Sequence, residues 1–173
     1  REGGENASYS REFAFSKSTG RPAVLNTKPN DSYTFEGASL LVDGYHSRPV
    51  FTSGAWLGYL DEPLDVTIDM GGEQSYRSVE LETLAEKGDW IFPPSSVTVW
   101  VSDNGTDFTE VASVTVPEAK VGDADGIGRY RMQFPETSAR YLKVVAQNAA
   151  AIPAWHPGAG SKGFLFVDEV VVE

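Results

Sequence analysis

Apolar and polar side chains alternate along several short stretches of this 173-residue chain. In LDVTIDM the apolar residues occupy positions 64, 66, 68 and 70, and in SVTVWVS the valines at 97, 99 and 101 share one face, with Trp100 on the other. A period of two is typical of half-buried β-strands. Similar stretches, bounded by turn residues such as Asn104-Gly105 and Pro135, occur at SVELETL, EVASVTV, RYRMQFP, RYLKVVA and FLFVDEVVV. About eight strands are predicted in this way.

Helices are not indicated by the same pattern. No segment of helical length carries an apolar stripe, and 17 Gly and 10 Pro are spread along the chain. The sequence therefore predicts an all-β fold, a single-domain antiparallel β-sandwich of the jelly-roll type. Residues 1–12 are polar and are predicted to form a linker or disordered arm, with the domain over 13–173. Three loops are long enough to carry function: 41–59, 84–95 and 146–163.

Net charge narrows the range of partners. The chain has 14 Lys and Arg against 25 Asp and Glu, a formal charge of −11, so its field repels phosphate groups. Neither nucleic acid nor an anionic membrane is an expected partner. The absence of cysteine excludes disulfides and thiolate chemistry but leaves the compartment open. The chain begins at Arg1, with neither a signal peptide nor a spanning segment, and is expected to be a piece of a longer protein.

Catalytic motifs are missing. The sequence has two histidines, His46 and His156, and no HExxH, CxxC, GxSxG, Walker or GxGxxG pattern. With 25 acidic residues, a carboxylate pair at glycosidase spacing is expected by chance and carries no weight. No catalytic residue, and no enzyme activity of this domain alone, is predicted.

Several phrases together carry a family resemblance. LVDG, GAWLGY, DVTIDMG, VTVWVSDNGTDFTEV, RYLKV and FLFVDEVVVE, spread over residues 38–173, resemble the F5/8 type C, or discoidin-like, family of galactose-binding-like β-sandwiches. The phrases GDWIFPPSSV and PAWHPGAGSKGFLFVDEV resemble the C-terminal accessory domain of bacterial β-hexosaminidases, or chitobiases.

This resemblance implies a non-catalytic carbohydrate-binding domain that targets a glycoside hydrolase to glycans. Its partners would be a glycan and the catalytic domain of the same polypeptide, and its location secreted, periplasmic or on the bacterial cell surface. The alternative is a structural module that packs against the catalytic domain without binding sugar.

The resemblance also implies a structural Ca²⁺ held by Asp43 and Glu169, with backbone carbonyls as further ligands. Tyr45 stands where the family commonly has a second side-chain oxygen, so Ser47 or Thr52 would have to replace it. The alternative is that Asp43 only makes an Asx-turn.

Trp90, Trp155 and His156 are the main candidates for sugar binding. An indole stacks on the C–H face of a sugar ring, while polar side chains hydrogen-bond its hydroxyls. For this second role the sequence also offers, from nearby loops, His46, Arg48 and Asn148.

Packing is the alternative interpretation of the same residues. In this interpretation Trp90, which precedes Ile91 and Phe92, is a core residue. His156 holds its loop in place and contacts no ligand. Trp56 and Trp100 are assigned to packing, because each lies in or beside an apolar strand-like segment.

Overall fold

The computed structural model describes residues 12–173. The strands of this part of the chain are β1 Glu12–Phe13, β2 Ala23–Leu25, β3 Tyr45–His46, β4 Leu57–Tyr59, β5 Leu64–Ala85, β6 Ser96–Ser102, β7 Thr109–Thr115, β8 Gly126–Gln147 and β9 Leu165–Val172. Its helices are short 3₁₀ turns at Asp31–Tyr33, Gly37–Leu41, Phe51–Ser53 and Lys87–Asp89. The all-β prediction is confirmed.

Residues 1–11 of the predicted arm lie outside the described residues. Glu12, its last residue, pairs with His46 in a two-stranded sheet of β1 and β3. Within residues 12–173, no helix is long and apolar enough to cross a membrane.

Two bent strands connect the layers of the sandwich. β5 and β8 each have 22 residues and pair antiparallel over most of their length. The register shifts between Asp69 and Gln74, where Gly71 has a φ of +79° that glycine adopts without strain. The sequence pattern had divided each of these strands into two, because the apolar alternation is interrupted where the strand bends.

The bends assign the remaining strands to two layers. The first half of β5 pairs with β2, and the second half of β8 pairs with β6, which pairs with β7. The second half of β5 pairs with β9, which in turn pairs with β4. The result is the predicted β-sandwich.

The core fills the space between these layers and follows the predicted alternation. The four apolar residues at 64, 66, 68 and 70 are fully buried, as are Val97 and Val99. Trp100, on the opposite face of β6, is half-buried. Trp56 is fully buried with Leu84, Ile91 and Phe166 in a second, smaller cluster, so its assignment to packing is confirmed.

The ends of the long strands determine where the loops lie. Ala85 pairs with Gly126 and Ser96 with Gln147, so the loops 86–95, 116–125 and 148–164 meet at one end of the sandwich, here called the loop end. The first predicted functional loop, 41–59, begins in another part of the molecule. Its start lies against β9, because the Ser47 backbone N–H donates to Asp168 Oδ2 at 2.7 Å. We call this region the flank.

Candidate functional site

Trp90 is displayed at the loop end by a tight turn. The turn Lys87–Asp89 closes with a hydrogen bond from the Trp90 N–H to the Lys87 carbonyl, and Trp90 itself has a φ of +64°. Its indole covers Gly158, where an added Cβ would lie 2.8 Å from the ring. The side chain stays 42% exposed, so the interpretation of Trp90 as a core residue is wrong.

Trp155 is the second exposed indole of the loop end. Its Nε1–H donates to the Ala119 carbonyl at 2.9 Å, which ties its loop to the loop after β7. The ring is 38% exposed. An indole N–H that leaves water needs a hydrogen-bond partner. Because the Ala119 carbonyl already fills this role, the face of the Trp155 ring can contact a ligand while the N–H keeps its hydrogen bond.

His156 lies between the two indoles and is buried. Its ring centroid is 6.1 Å from that of Trp90 and 5.6 Å from that of Trp155, in edge-to-face contacts. The Gly158 N–H donates to Nδ1 at 3.0 Å, so Nδ1 carries no proton and Nε2–H donates to the Lys87 carbonyl at 2.8 Å. Both ring nitrogens are thus used within the chain. His156 positions the indoles, as in its alternative interpretation, and is not placed to bond a hydroxyl.

Lys87 fixes this turn to the neighbouring loop. Its buried ammonium donates to the Asp123 carbonyl at 2.9 Å and to the Asp125 carboxylate. Partial burial opposes ionisation of Asp125, but the hydrogen bonds from Lys87 lower its pKa below the ordinary value. The loops that carry Trp90 and Trp155 are therefore joined to a common support before any ligand binds, which reduces the entropy lost on binding.

Asn148 does not face a ligand. Its amide nitrogen donates to the Tyr59 carbonyl at 3.0 Å and to the Gly163 carbonyl at 3.4 Å. Its side-chain oxygen is buried and has no hydrogen-bond partner among the described residues. The geometry gives Asn148 the role of joining the last loop to β4.

His46 and Arg48 lie on the flank side rather than with Trp155. His46 Nδ1 is 2.9 Å from Glu82 Oε2, which also accepts from Arg129. The Arg48 carbonyl accepts from the Trp56 indole at 2.9 Å, and its side chain is exposed. The structure does not assemble them with the two indoles, because the start of the 41–59 loop follows β9 instead of the loop end.

An apolar cavity opens beside the Trp155 loop. Its volume is about 440 Å³, and its walls come from residues 92–95, 115–119 and 149–154, with Phe92, Val116 and Ile152 among them. Four prolines and five alanines contribute to this wall.

A second group of aromatic rings was missed from the sequence. Tyr33 lies at the centre, with ring centroids 6.4 Å from Phe35, 6.4 Å from Phe51 and 5.5 Å from Phe164. Phe35 is 49% exposed. Tyr33, Phe35 and Phe51 lie in segments without apolar alternation, so no pattern in the sequence placed them beside Phe164.

The flank brings four carboxylates together. Asp168 and Glu169 of β9 and Glu82 of β5 are almost fully buried, and Asp43 is half-buried. Burial raises the pKa of Asp168 to about 8 and that of Glu169 to about 9, and the other carboxylates of the group add to both shifts.

The residues proposed for Ca²⁺ meet in this group. Asp43 Oδ1 accepts from the Tyr45 N–H at 2.8 Å, which is the Asx-turn, and Glu169 Oε1 accepts from the Gly44 N–H at 3.3 Å. Glu169 Oε2 is buried with no hydrogen-bond partner among the described residues. Among residues 12–173, no group of three or more His, Cys, Asp or Glu side chains could hold a metal ion, so backbone carbonyls would have to complete the shell. An unpartnered, buried carboxylate oxygen fits a cation.

Comparison with known proteins identifies the class. Residues 25–162 match the model of the F5/8 type C domain, so the chain belongs to this family. No curated protein matches the sequence significantly.

Solved structures share the fold. Chitosan-binding module 1 of a chitosanase/glucanase from Paenibacillus sp. IK-5 has a TM-score of 0.58 at 17% identity, over 92% of this chain and 99% of that one. CpGH89CBM32-5 from Clostridium perfringens, in complex with GalNAc-β-1,3-galactose, has 0.56 at 16%, over 87% and 93%. A fucose-binding module from Streptococcus pneumoniae has 0.56 at 21%, over 91% and 94%.

Proposed function

We propose that this domain binds carbohydrate without catalysis and serves as an accessory module of a bacterial glycoside hydrolase. The observation that carries the proposal is the pair of half-exposed indoles, Trp90 and Trp155, fixed on either side of buried His156 at the loop end. The indole N–H of Trp155 is already hydrogen-bonded within the chain, and both indoles are partly exposed to solvent. Such faces suit the C–H surface of a sugar ring.

The solved structures of the same fold support this function. Those named above are described as binding chitosan, fucose, or a GalNAc-galactose disaccharide. Because their sequences are less than 25% identical to this one, they support the class of ligand and not a particular sugar. The phrases that resemble β-hexosaminidases favour a parent enzyme acting on β-linked N-acetylhexosamine, exported to the periplasm, cell surface or medium.

The mechanism is an increase in effective concentration. A site with a dissociation constant near 1 mM contributes about 4 kcal/mol, too little for stable capture by itself. Joined to a catalytic domain, the same contact keeps the enzyme near a substrate that presents many sugars.

A glycan array followed by calorimetric titration of the domain tests the proposal. We expect binding to at least one glycan and no turnover of aryl N-acetylhexosaminides or aryl galactosides. Absence of binding across the array would contradict it, as would turnover lost on a single Asp or Glu substitution.

A purely structural module is the second candidate, and the 440 Å³ apolar cavity favours it. A groove of proline and alanine side chains beside Trp155 suits a protein segment at least as well as a sugar. In that case the catalytic domain of the same polypeptide would cover the loop end, and the array would be negative.

Asp43 and Glu169 are proposed to hold a structural Ca²⁺. When bound, the cation would neutralise the flank and occupy the unpartnered oxygen of Glu169. The cation would also reduce the repulsion among the carboxylates of the flank, while the Ser47 N–H bond to Asp168 keeps the loop against β9. Melting curves with Ca²⁺ and with chelator test this assignment.

A further inference from the structure

Two aromatic residues at the surface share an unusual backbone conformation. Among residues 12–173, Phe35 and Trp90 are the non-glycine residues with positive φ, at 41° and 64°. This region is unfavourable for bulky side chains, and such strain persists where the surrounding structure enforces it, often at functional sites. Both rings are nevertheless exposed, at 49% and 42%, so burial does not account for their positions.

These two residues are connected by a line of contacts. The ring of Phe35 lies 6.4 Å from that of Tyr33, which lies 5.5 Å from that of Phe164. The Phe164 N–H donates to the Trp90 carbonyl at 2.8 Å. Tyr33 and Phe164 are half-buried and rest on fully buried Phe166. The two indoles are linked in turn through His156. We call the rings connected in this way the aromatic ridge: Phe35, Tyr33, Phe164, Trp90 and Trp155.

We propose that the aromatic ridge binds an extended, linear oligosaccharide, with Phe35 as a second contact site beyond the two indoles. This proposal rests on the proposed carbohydrate-binding function and adds the form of the ligand. A single sugar would cover one indole, whereas successive sugars of a chain can reach both ends of the ridge. The second contact then acts on a ligand already held by the first.

The surroundings of the rings favour sugar over protein. Exposed Glu36 follows Phe35, and exposed Asp89 precedes Trp90. A carboxylate beside a ring can accept hydrogen bonds from the hydroxyls of a stacked sugar. The central part of a protein interface is, in contrast, depleted of acidic side chains.

Titration with β-1,4-linked N-acetylglucosamine oligomers of one to six residues tests the proposal. We expect the hexamer to bind the wild type about tenfold more tightly than the monomer, because it gains the Phe35 contact. Phe35→Gly removes the ring and permits the positive φ. This variant should lose the tenfold gain, bind the monomer as the wild type does, and melt no lower than Phe35→Ala. Phe15→Ala, which removes an 84% exposed ring near the opposite end, is the control and should change neither affinity.

The outcomes separate this proposal from the proposed function. Binding of the monomer with no gain from length, or a Phe35→Gly variant that keeps the gain, overturns the ridge and leaves carbohydrate binding intact. If no oligomer of the series binds while the array is positive, the ridge is overturned for this linkage and the N-acetylhexosamine preference fails with it. If the array is negative as well, the carbohydrate-binding function itself fails.

Discussion

The loop end and the flank contrast in how completely their polar groups are satisfied. At the loop end, Lys87, Trp155 and His156 all find partners within the chain, and apolar ring faces remain exposed. On the flank, Glu82 and Glu169 each keep a buried carboxylate oxygen without a partner among the described residues. The groups that hold the Trp155 loop and the Trp90 turn in place are satisfied before a ligand binds, although the buried side-chain oxygen of Asn148 at this end has no partner among the described residues. The second is electrostatically incomplete, because carboxylates buried close together are costly to ionise unless a cation compensates them.

This difference separates what a ligand does in each region. A neutral sugar at the loop end would gain contact area and change the fold little. A cation at the flank would remove an unfavourable charge interaction and so stabilise the fold. Substitutions at the loop end should therefore affect binding, whereas changes at the flank should affect melting.

The largest expected effect is that of Trp155→Ala on glycan binding. A weak sugar site contributes about 4 to 5 kcal/mol, and loss of a stacking indole costs about 2 kcal/mol or more, so binding should fall below detection by calorimetry. Melting should change little, because the ring lies at the surface. Trp100→Ala, on the outer face of β6, is the matched control and should bind normally. Normal binding by Trp155→Ala would remove this indole from the site.

The next effect is that of Ca²⁺ on stability. An ion that binds only the folded state stabilises it by about 2.7 kcal/mol at a hundredfold excess over its dissociation constant. Chelator should therefore lower the melting temperature of the wild type. Glu169→Gln removes the proposed carboxylate ligand, so its melting should not respond to added Ca²⁺. Equal melting of the wild type in both conditions would leave Asp43 with the Asx-turn alone.

His156→Ala should have an intermediate effect that differs in kind from that of Trp155→Ala. It leaves the buried Lys87 carbonyl and Gly158 N–H without their imidazole partner, which costs about 1 to 3 kcal/mol of unfolding free energy. Affinity for the glycan should fall less, because the indoles lose support but not contact area. Urea unfolding together with titration measures both. A variant of wild-type stability that has lost binding would instead place His156 on the ligand.

The smallest expected effect is a pH dependence of the flank. The pKa values of Asp168 and Glu169, about 8 and 9, are raised above their ordinary values, so the folded state holds protons that the unfolded state has released. Their contribution to stability is present at low pH and is lost as pH rises through these values. In chelator, melting temperature should fall between pH 6 and pH 9, and excess Ca²⁺ should reduce the fall. Parallel pH profiles in the two conditions would contradict the link between the cation and these carboxylates.

The strands could be predicted because their signal is local. Leu64, Val66 and Ile68 face one layer whatever their partners are, since side chains alternate across any strand. The bends of β5 and β8 could not be predicted in this way, because they depend on pairing between residues far apart in sequence, such as Gln74 with Ala139.

The sequence predicted which residues lie in the candidate site better than it predicted what each of them does there. Trp90 and Trp155 are at the surface as proposed, because Gly- and Pro-rich loops bury little. His156 and Asn148 were proposed as ligand contacts, but the structure uses them to hold loops together. No local pattern distinguishes a polar side chain that faces a ligand from one that bonds a distant carbonyl.

The sequence by itself determined the all-β class, the core faces of the first half of β5 and of β6, the family and the loops that carry exposed indoles, because these depend on local alternation and on motifs. Tertiary structure decided which loops meet. It placed Trp90 and Trp155 on either side of His156, joined Phe164 to Tyr33 and to the Trp90 backbone, and buried Glu82 with Asp168 and Glu169. The physical reason is that burial, hydrogen bonding and charge repulsion depend on residues that are far apart in the sequence. Strand pairing decides which of these residues come together.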